Sequence, residues 1–461
     1  MKKQIGMNTI VEILAKVVTF IISIIIGRIF GPAVFGTVSS AQAITSYLNL
    51  IGDLGTNNEA IRTISENPEE KSKVFTHVLV YRVAISIITI VVSVILILLN
   101  ILNDQILLLF IIFNLCSLFI PNAIFIGLTL FKYNGYVNLI NALTSFTLFI
   151  LFLFLKQNII YYPIALAIGS LIAITSGYLI YFKKIGTLKF GGWKSFIKFI
   201  KSSIALGITN IFARIYYDFD IVMLSLMTGS ISVGLYSAAF KIIQMLWFLP
   251  NMYVLYALPN ITRIIHKQSS QLNEYVQSIL RYVMLFIFPL LPFTILYGKD
   301  FLTLIYGNDY KNAYNVLVVL VAGFVCMCIK TVFGNILVAN RQENILLKLS
   351  ISASIFNVLL NLVLISYIGL IGAAISTLLT EMLLMAFEYI LVKKQFEFVF
   401  PLTSICKILG VLLVLYLVFE NINFNIWINI SLSIFTYVCS LILIKEKSIM
   451  DLLKMIKKHA D

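Results

Sequence analysis

Long apolar segments separated by short polar stretches dominate the pattern of this chain. A helix needs about 20 apolar residues to cross the hydrocarbon layer of a membrane, and fourteen segments between polar, Gly and Pro positions qualify. The pattern predicts an all-α integral membrane fold. The predicted spans cover residues 7–29, 33–51, 74–99, 106–131, 137–155, 161–182, 203–226, 233–258, 278–297, 313–338, 345–365, 370–392, 402–419 and 426–444.

The distribution of Lys and Arg predicts the orientation of these spans. With the amino terminus in the cytoplasm, twenty-two Lys and Arg fall in inside loops and termini, and four fall in outside loops. Loops on the cytoplasmic side of a membrane carry such an excess of basic residues. We therefore expect a multi-pass protein of the bacterial inner (plasma) membrane with both termini in the cytoplasm.

Two basic segments are too polar to cross the membrane but separate apolar and basic faces at helical spacing. They are a linker at residues 183–202 and a carboxy-terminal tail at residues 445–461. Helices of this kind lie in the membrane interface, and their Lys residues would face anionic headgroups of the inner leaflet. A simple topological anchor is an equally good interpretation of both segments.

Composition excludes several classes of function. With 60% hydrophobic and 12% charged residues and a mean hydropathy of +1.00, the chain cannot be a soluble domain. The net charge of +14 does not indicate nucleic-acid binding, because the basic residues lie in short loops rather than on one folded face. The five Cys lie in apolar runs and the three His are far apart, so we expect no metal site and no cofactor.

An internal repeat divides the sequence into two halves of six predicted spans each. An even number of spans makes the halves parallel repeats, an architecture that binds its substrate between the two lobes. At an offset of 198 residues, Gly31, Gly36, Ser39, Ala41, Ile44 and Leu48 match Gly229, Gly234, Ser237, Ala239, Ile242 and Leu246. The predicted organisation is an N-lobe of helices 1–6 (residues 1–182), the amphipathic linker helix (183–202), a C-lobe of helices 7–12 (203–392), helices 13–14 (393–444) and the basic tail (445–461).

Three segments of the chain resemble a known family. They are IGRIFGPAVFG at residues 26–36, DLG at residues 53–55 and DFDIVMLSLMTGSISVGLYSAAFKI at residues 218–242. These segments are similar to polysaccharide-biosynthesis or O-antigen (Wzx-type) flippases of the multidrug/oligosaccharidyl-lipid/polysaccharide exporter superfamily. The resemblance implies two six-helix lobes around a cavity that opens alternately to either face, with two extra helices. These motifs are structural and do not identify a substrate.

Ionisable side chains inside the predicted spans mark the candidate site, because each costs at least about 2.5 kcal/mol on insertion scales. Cations outnumber anions among the deep ones, and a cleft lined by Lys and Arg would replace water around a pyrophosphate. Four-residue spacing allows Glu12 with Lys16, and Arg214 with Asp218, to pair on one helix face, and a purely structural pair is an equally good interpretation. The predicted pyrophosphate-binding cavity comprises Lys16, Arg28, Arg82, Arg214, Lys241 and Lys330, and the predicted ion-coupling residues are Asp218, Glu381 and Glu12.

Other polar residues in the spans have ordinary explanations. Those near helix ends can reach the interface by snorkelling, namely Lys241, Arg281, Lys348, Glu388 and Lys407. Carboxamides in spans usually form hydrogen bonds between helices, although sugar selectivity could depend on Asn114, Asn138, Asn141, Asn210 and Asn357.

The expected function is transport rather than catalysis. The predicted flippase moves an undecaprenyl-pyrophosphate-linked oligosaccharide, such as an O-antigen or capsule repeat unit, to the outer leaflet by alternating access, driven by an ion or by the membrane potential. Membrane lipids, a glycan polymerase and a chain-length regulator are the expected partners. A lipid II flippase and a multidrug antiporter stay open as alternatives, although the cationic excess disfavours the antiporter. A membrane glycan polymerase is less favoured, because the outer loops are short and lack a catalytic constellation.

Overall fold

The computed structural model describes residues 2–100, 104–156, 158–266, 271–420, 422 and 426–451. These residues are helical with short connections, and within these ranges there is no β-strand. They form two compact units, Met1–Gly234 and Leu235–Asp461. Each unit has its own hydrophobic core, built around Phe75, Phe125 and Tyr181 in the first and around Phe333, Ile336 and Met284 in the second.

Seventeen α-helices follow one another along the described chain. The helices of the first unit are α1 (Lys2–Asp53), α2 (Thr56–Glu66), α3 (Lys71–Leu98), α4 (Gln105–Leu118), α5 (Asn122–Gly127), α6 (Phe131–Lys156), α7 (Tyr161–Lys184) and α8 (Trp193–Met227), and the division between the units falls within α9 (Ser230–Leu246). The second unit continues with α10 (Phe248–His266), α11 (Leu272–Ile287), α12 (Leu290–Tyr306), α13 (Tyr314–Ala339), α14 (Glu343–Ile368), α15 (Leu370–Phe396), α16 (Leu402–Phe419) and α17 (Ile426–Leu443). Short 3₁₀ helices cover Pro68–Glu70 and Asn308–Ala313.

The predicted all-α membrane fold is confirmed. Eleven helical segments in the described ranges are long and apolar enough to cross a membrane. The longest of them includes both arms of α1, which breaks at Gly31, where φ is +75° and ψ is 176°. That break lies between the first two predicted spans. The total of fourteen crossings and the repeat of two lobes remain predictions.

Proline residues explain where three predicted spans are divided into two helices. A proline cannot donate the N–H that the carbonyl four residues earlier needs in a helix. Helix α4 ends at Leu118 before Pro121, α9 ends at Leu246 before Pro250, and α11 ends at Ile287 before Pro289. The predicted spans at 106–131, 233–258 and 278–297 therefore each contain a break that counting apolar residues does not reveal.

The predicted linker helix and the seventh predicted span form a single helix. Helix α8 runs from Trp193 to Met227 over 35 residues, whereas the sequence predicts a boundary between the linker and the next span at residue 202. The change from basic to apolar residues suggested a boundary, but no proline lies in this stretch to interrupt the hydrogen bonding. The amphipathic segment is thus the first part of the long helix.

The carboxy-terminal tail begins with a docked turn. The buried carboxylate of Glu446 accepts hydrogen bonds from the backbone N–H groups of Ser448 and Ile449 at 2.6 and 3.2 Å. Ile449 packs against the hydrophobic core of the second unit. The rest of the predicted amphipathic tail, residues 452–461, lies outside the described residues.

Candidate functional site

A cavity of about 450 Å³, lined by both polar and apolar side chains, lies in the first unit between helices α1, α4, α6 and α7. Its polar lining consists of Lys16, Thr19, Gln42, Asn138, Asn141, Ser145 and Tyr162, with Phe113 and aliphatic side chains between them. Among the described residues that line it, none is acidic. The cavity therefore offers an ammonium group, hydroxyl groups and carboxamides, which are donors for an anion and for sugar hydroxyls.

The helices around this cavity are held in place by short contacts. The side-chain amide of Gln42 on α1 donates to the hydroxyl of Tyr162 on α7 at 3.1 Å. Helix α7 approaches α6 closely at Gly169, where a Cβ would lie 2.0 Å from Oγ of Ser145. Because glycine has no side chain there, Ser145 can line the cavity between the two helices.

Lys16 is the predicted cation that the structure places at this cavity. Its side chain is exposed, on the first arm of α1. The side chain of its predicted partner, Glu12, lies outside the described residues. Asn138 and Asn141, predicted as candidates for sugar selectivity, also line the cavity.

Arg82 is almost fully buried, with 2% of its surface exposed. Its guanidinium donates to Oδ1 of Asn57 at 2.8 Å and lies 3.5 Å from Oδ1 of Asp53. Asp53 in turn accepts hydrogen bonds from the backbone N–H of Asn57 and the hydroxyl of Thr56, at 3.0 and 3.1 Å. These contacts tie α3 to the junction of α1 and α2, and a phosphate-binding role for Arg82 stays a prediction.

Arg214 and Asp218 form the ion pair that their spacing predicts, with an N–O distance of 2.5 Å. The carboxylate is buried, whereas 43% of the Arg214 side chain is exposed. The hydroxyl of Tyr47 on α1 donates to the backbone carbonyl of Arg214 at 3.5 Å, and the Tyr47 ring packs edge-on against Phe219. The exposed guanidinium is therefore anchored on a helix that is itself fixed against α1.

Lys330 and Glu381 are brought together in the second unit, with an N–O distance of 2.8 Å between α13 and α15. Both side chains are buried. The sequence predicts separate roles for them, in phosphate binding and in ion coupling, because they are 51 positions apart and no spacing rule links them. The remaining predicted cations differ in exposure: Arg28 is exposed and Lys241 is half-buried.

The snorkelling interpretation is wrong for Glu388 and Arg281. Their exposed fractions are 6% and 7%, and Glu388 lies against Gly334 of α13. Helix α15 continues to Phe396, so Glu388 is two turns from its end and covered by protein. Lys348 and Lys407 are exposed, as snorkelling requires.

Several polar contacts between helices were missed because they depend on packing between distant segments. They include the Asp53 and Asn57 contacts of Arg82 and the hydrogen bond between Gln42 and Tyr162. Asn114 has the structural role that is usual for carboxamides in spans, since it bonds to Asn49 and, at 2.8 Å, to Thr45. Asn357 likewise bonds to Thr380 and Asn361.

Comparison with solved structures identifies a known class of fold. The chain is similar to the lipid II flippase MurJ in an inward closed conformation, with a TM-score of 0.76 and 17% identity over 95% of this chain and 98% of that one. It is also similar to an inward-facing multidrug resistance transporter of the MATE family, with a TM-score of 0.66 and 14% identity over 83% and 94% of the two chains. A transporter from Pyrococcus furiosus gives a TM-score of 0.56 and 13% identity over 86% and 94%. The fold is that of transporters of the MOP superfamily.

Sequence comparison then places the chain within that class. Residues 1–265 match the family described as "Polysaccharide biosynthesis protein", and the chain belongs to this family. A relative in Haloferax volcanii, the probable low-salt glycan biosynthesis flippase Agl15, is 20% identical over 188 residues, which is 41% of this chain. The chain spans 39% of the length of that relative in the match.

Proposed function

We propose that this protein is a flippase for an undecaprenyl-pyrophosphate-linked oligosaccharide, such as an O-antigen or capsule repeat unit. It moves the lipid-linked glycan from the cytoplasmic to the outer leaflet by alternating access, without covalent chemistry. The observation that carries the proposal is the cavity of about 450 Å³ lined by Lys16 and carboxamides, with no acidic residue among its described lining. Membership of the polysaccharide biosynthesis family and similarity to Agl15 support the same substrate class.

The cavity lowers the barrier to moving a charged headgroup through hydrocarbon. A pyrophosphate and its sugars lose their hydration when they leave water, and this loss is prohibitive unless other polar groups replace it. The Lys16 ammonium can pair with a phosphate, while Gln42, Asn138 and Asn141 offer donors and acceptors to sugar hydroxyls. In this proposal Arg28, Arg82, Arg214, Lys241 and Lys330 add positive charge along the route, and Asp218, Glu381 and Glu12 serve ion coupling.

The proposed cellular setting follows from the basic loops. With the Lys- and Arg-rich loops inside, the protein lies in the bacterial inner membrane with both termini in the cytoplasm. The lipid-linked substrate then enters from the cytoplasmic leaflet, where it is assembled. A glycan polymerase and a chain-length regulator on the outer side would be its partners.

Replacing Lys16 tests the proposal in cells whose surface glycan depends on this protein. We expect Lys16→Ala to reduce surface glycan and to increase the pool of lipid-linked precursor, because the headgroup loses its ammonium partner. Lys348→Ala is the matched control, since Lys348 is exposed on α14 and is not part of the cavity lining. Normal glycan and a normal precursor pool in the Lys16 variant, at wild-type protein abundance, would contradict the assignment of this cavity.

Other functions of the same fold predict different results. A multidrug antiporter exports cationic drugs through a cavity lined by carboxylates. If this protein were one, cells that produce it would be more resistant to such drugs than cells that lack it. A lipid II flippase would restore growth to cells that lack their own essential lipid II flippase. A glycan polymerase would lengthen glycan chains as a purified protein, which a flippase does not do.

A further inference from the structure

Three buried ionisable side chains lie between α13 and α15 of the second unit. Lys330, Glu381 and Glu388 have exposed fractions of 9%, 4% and 6%. The Lys330 ammonium lies 2.8 Å from Oε2 of Glu381, whereas Glu388 accepts a backbone hydrogen bond from Gly334 and has no ion pair among the described residues. The group contains two carboxyl groups and one ammonium group, so it would carry a net negative charge if all three were ionised.

Among the described residues, the surroundings of Glu388 offer a backbone hydrogen bond from Gly334 but no second cation beside Lys330. Phe333 and Tyr389 pack against each other with ring centroids 5.5 Å apart, and both contact Phe398 and Phe400. The charged side chains that interact electrostatically with Glu388 are Lys330 and Glu381. An ionised carboxylate left unpaired in such surroundings costs many kcal/mol, and such a group binds a proton instead.

Charged residues on the neighbouring helices do not alter this balance. Apart from Arg281 on α11, which lies by Tyr282, the charged side chains described on the elements that pack against α13 or α15 are exposed. They are Arg263, Glu274, Lys299, Asp300, Asp309, Lys311, Glu343 and Lys348, together with Lys393 and Lys394 on α15 itself. The cluster must therefore reach neutrality from its own three groups and a proton.

We infer that Glu381 and Glu388 form a proton-binding site in which one proton neutralises whichever carboxylate Lys330 does not contact. Since Lys330 contacts Glu381 in the structure, this proposal assigns the proton to Glu388. Only the role suggested for this site, which is to bind the coupling ion, rests on the proposed flippase function. The site itself is a property of these three side chains.

The two carboxyl groups lie on one side of α15. Glu381 and Glu388 are seven residues apart, which places them on the same face two turns apart. Gly334 follows Lys330 by one turn on α13 and lies against Glu388, where a Cβ would be 3.1 Å from Oε2. Because Gly334 has no side chain, the Glu388 carboxyl can approach α13 one turn from Lys330.

A proton fits this site better than a sodium ion does. Metal cations with hard oxygen preferences need several oxygen ligands around one point, and the described residues contain no cluster of three or more His, Cys, Asp or Glu that could hold a metal ion. One of the two carboxylates is already engaged by an ammonium group. Within the described residues the site thus supplies two carboxyl groups and no further His, Cys, Asp or Glu that would complete such a cluster.

Infrared spectroscopy of the purified protein in lipid nanodiscs tests the site without any transport substrate. The wild-type protein should show a C=O stretching band from a buried protonated carboxyl at neutral pH, and Glu388→Gln should lose it. Glu381→Gln should lose it as well, because Lys330 then pairs with an ionised Glu388. Glu397→Gln is the control, since Glu397 is exposed at the end of α15, and it should keep the band.

Replacing Lys330 should enlarge the C=O band, whereas replacing either glutamate should remove it. Lys330→Met should increase the band to about twice its wild-type area, because both carboxyls then need a proton. If that variant does not fold, Lys330→Met with Glu381→Gln restores neutrality and should show the wild-type band. Persistence of the band in Glu388→Gln or in Glu381→Gln would overturn the inference, and loss of the wild-type band on adding sodium at constant pH would identify a sodium site instead. Loss of glycan export in Lys16→Ala has no bearing on these spectra, so the two proposals can fail separately.

Discussion

Asp53 serves two structural elements at once. Its carboxylate accepts the hydrogen bonds of Asn57 and Thr56 at the start of α2 and lies 3.5 Å from the buried guanidinium of Arg82. A carboxylate at a helix amino terminus is stabilised by the helix dipole as well as by its hydrogen bonds. One side chain thereby fixes α2 and neutralises a cation that is 2% exposed on α3.

Replacing Arg82 should destabilise the protein strongly. Arg82→Met removes the cationic partner of Asp53 and of Asn57, and breaking a buried pair on one side costs about 3 kcal/mol or more. The midpoint of thermal unfolding of the purified protein should fall accordingly. Arg62→Met is the control, because the pair of Arg62 with Glu66 is exposed, and such pairs contribute at most about 1 kcal/mol. Equal effects of the two substitutions would contradict this account of Arg82.

Residue spacing decided which charge pairs could be predicted. The pair of Arg214 and Asp218 was read from four-residue spacing on one helix, and the structure confirms the contact. Arg82 with Asp53, and Lys330 with Glu381, join different helices. These contacts depend on how the helices pack, which no local pattern in one sequence contains.

At the scale of helices, the close crossing of α1 and α9 depends on two glycines of the predicted repeat. A Cβ on Gly36 would lie 1.8 Å from the carbonyl oxygen of Ser230, and a Cβ on Gly234 would lie 1.9 Å from that of Pro32. Pro32 and Ser230 are themselves separated by the offset of 198 residues. Residues separated by this offset thus make reciprocal contacts at the crossing.

Adding a methyl group at this crossing should disrupt it. In Gly36→Ala the new Cβ overlaps backbone atoms that have no freedom to move aside, so the two helices must separate. We expect a marked loss of folded, monodisperse protein after purification. Gly410→Ala provides the comparison, because no atom lies within 4 Å of a Cβ there, and alanine in a helix interior is favoured over glycine by about 1 kcal/mol. A Gly36→Ala protein with the same yield and thermal stability as Gly410→Ala would refute the close crossing.

The positions of most helices can be predicted from the length and periodicity of the apolar segments. Helices α3, α6, α7, α14, α15 and α16 each cover one predicted span. The boundaries that differed are those at Pro121, Pro250 and Pro289, together with the missing boundary before residue 203. Proline can kink, break or be tolerated in a helix depending on its neighbours, so its outcome is not fixed by the local sequence.

At the scale of the whole molecule, the excess of basic residues in alternate loops predicts which loops face the cytoplasm. Fusions of green fluorescent protein and alkaline phosphatase measure this, since the first fluoresces inside the cell and the second is active outside. We expect fluorescence and no phosphatase activity for fusions after Lys184 and at the carboxy terminus. Fusions in the connection between α3 and α4 should give the opposite result. Phosphatase activity at the carboxy terminus would show an odd number of crossings.

The uninterrupted length of α8 has a mechanical consequence. At 1.5 Å per residue its 35 residues extend about 52 Å, whereas the hydrocarbon layer is about 30 Å thick. A rod of that length either projects from the layer or leans steeply within it. One unbroken helix therefore carries both the exposed lysines of its first turns and Arg214, and its regular rise fixes their separation along the axis at about 30 Å.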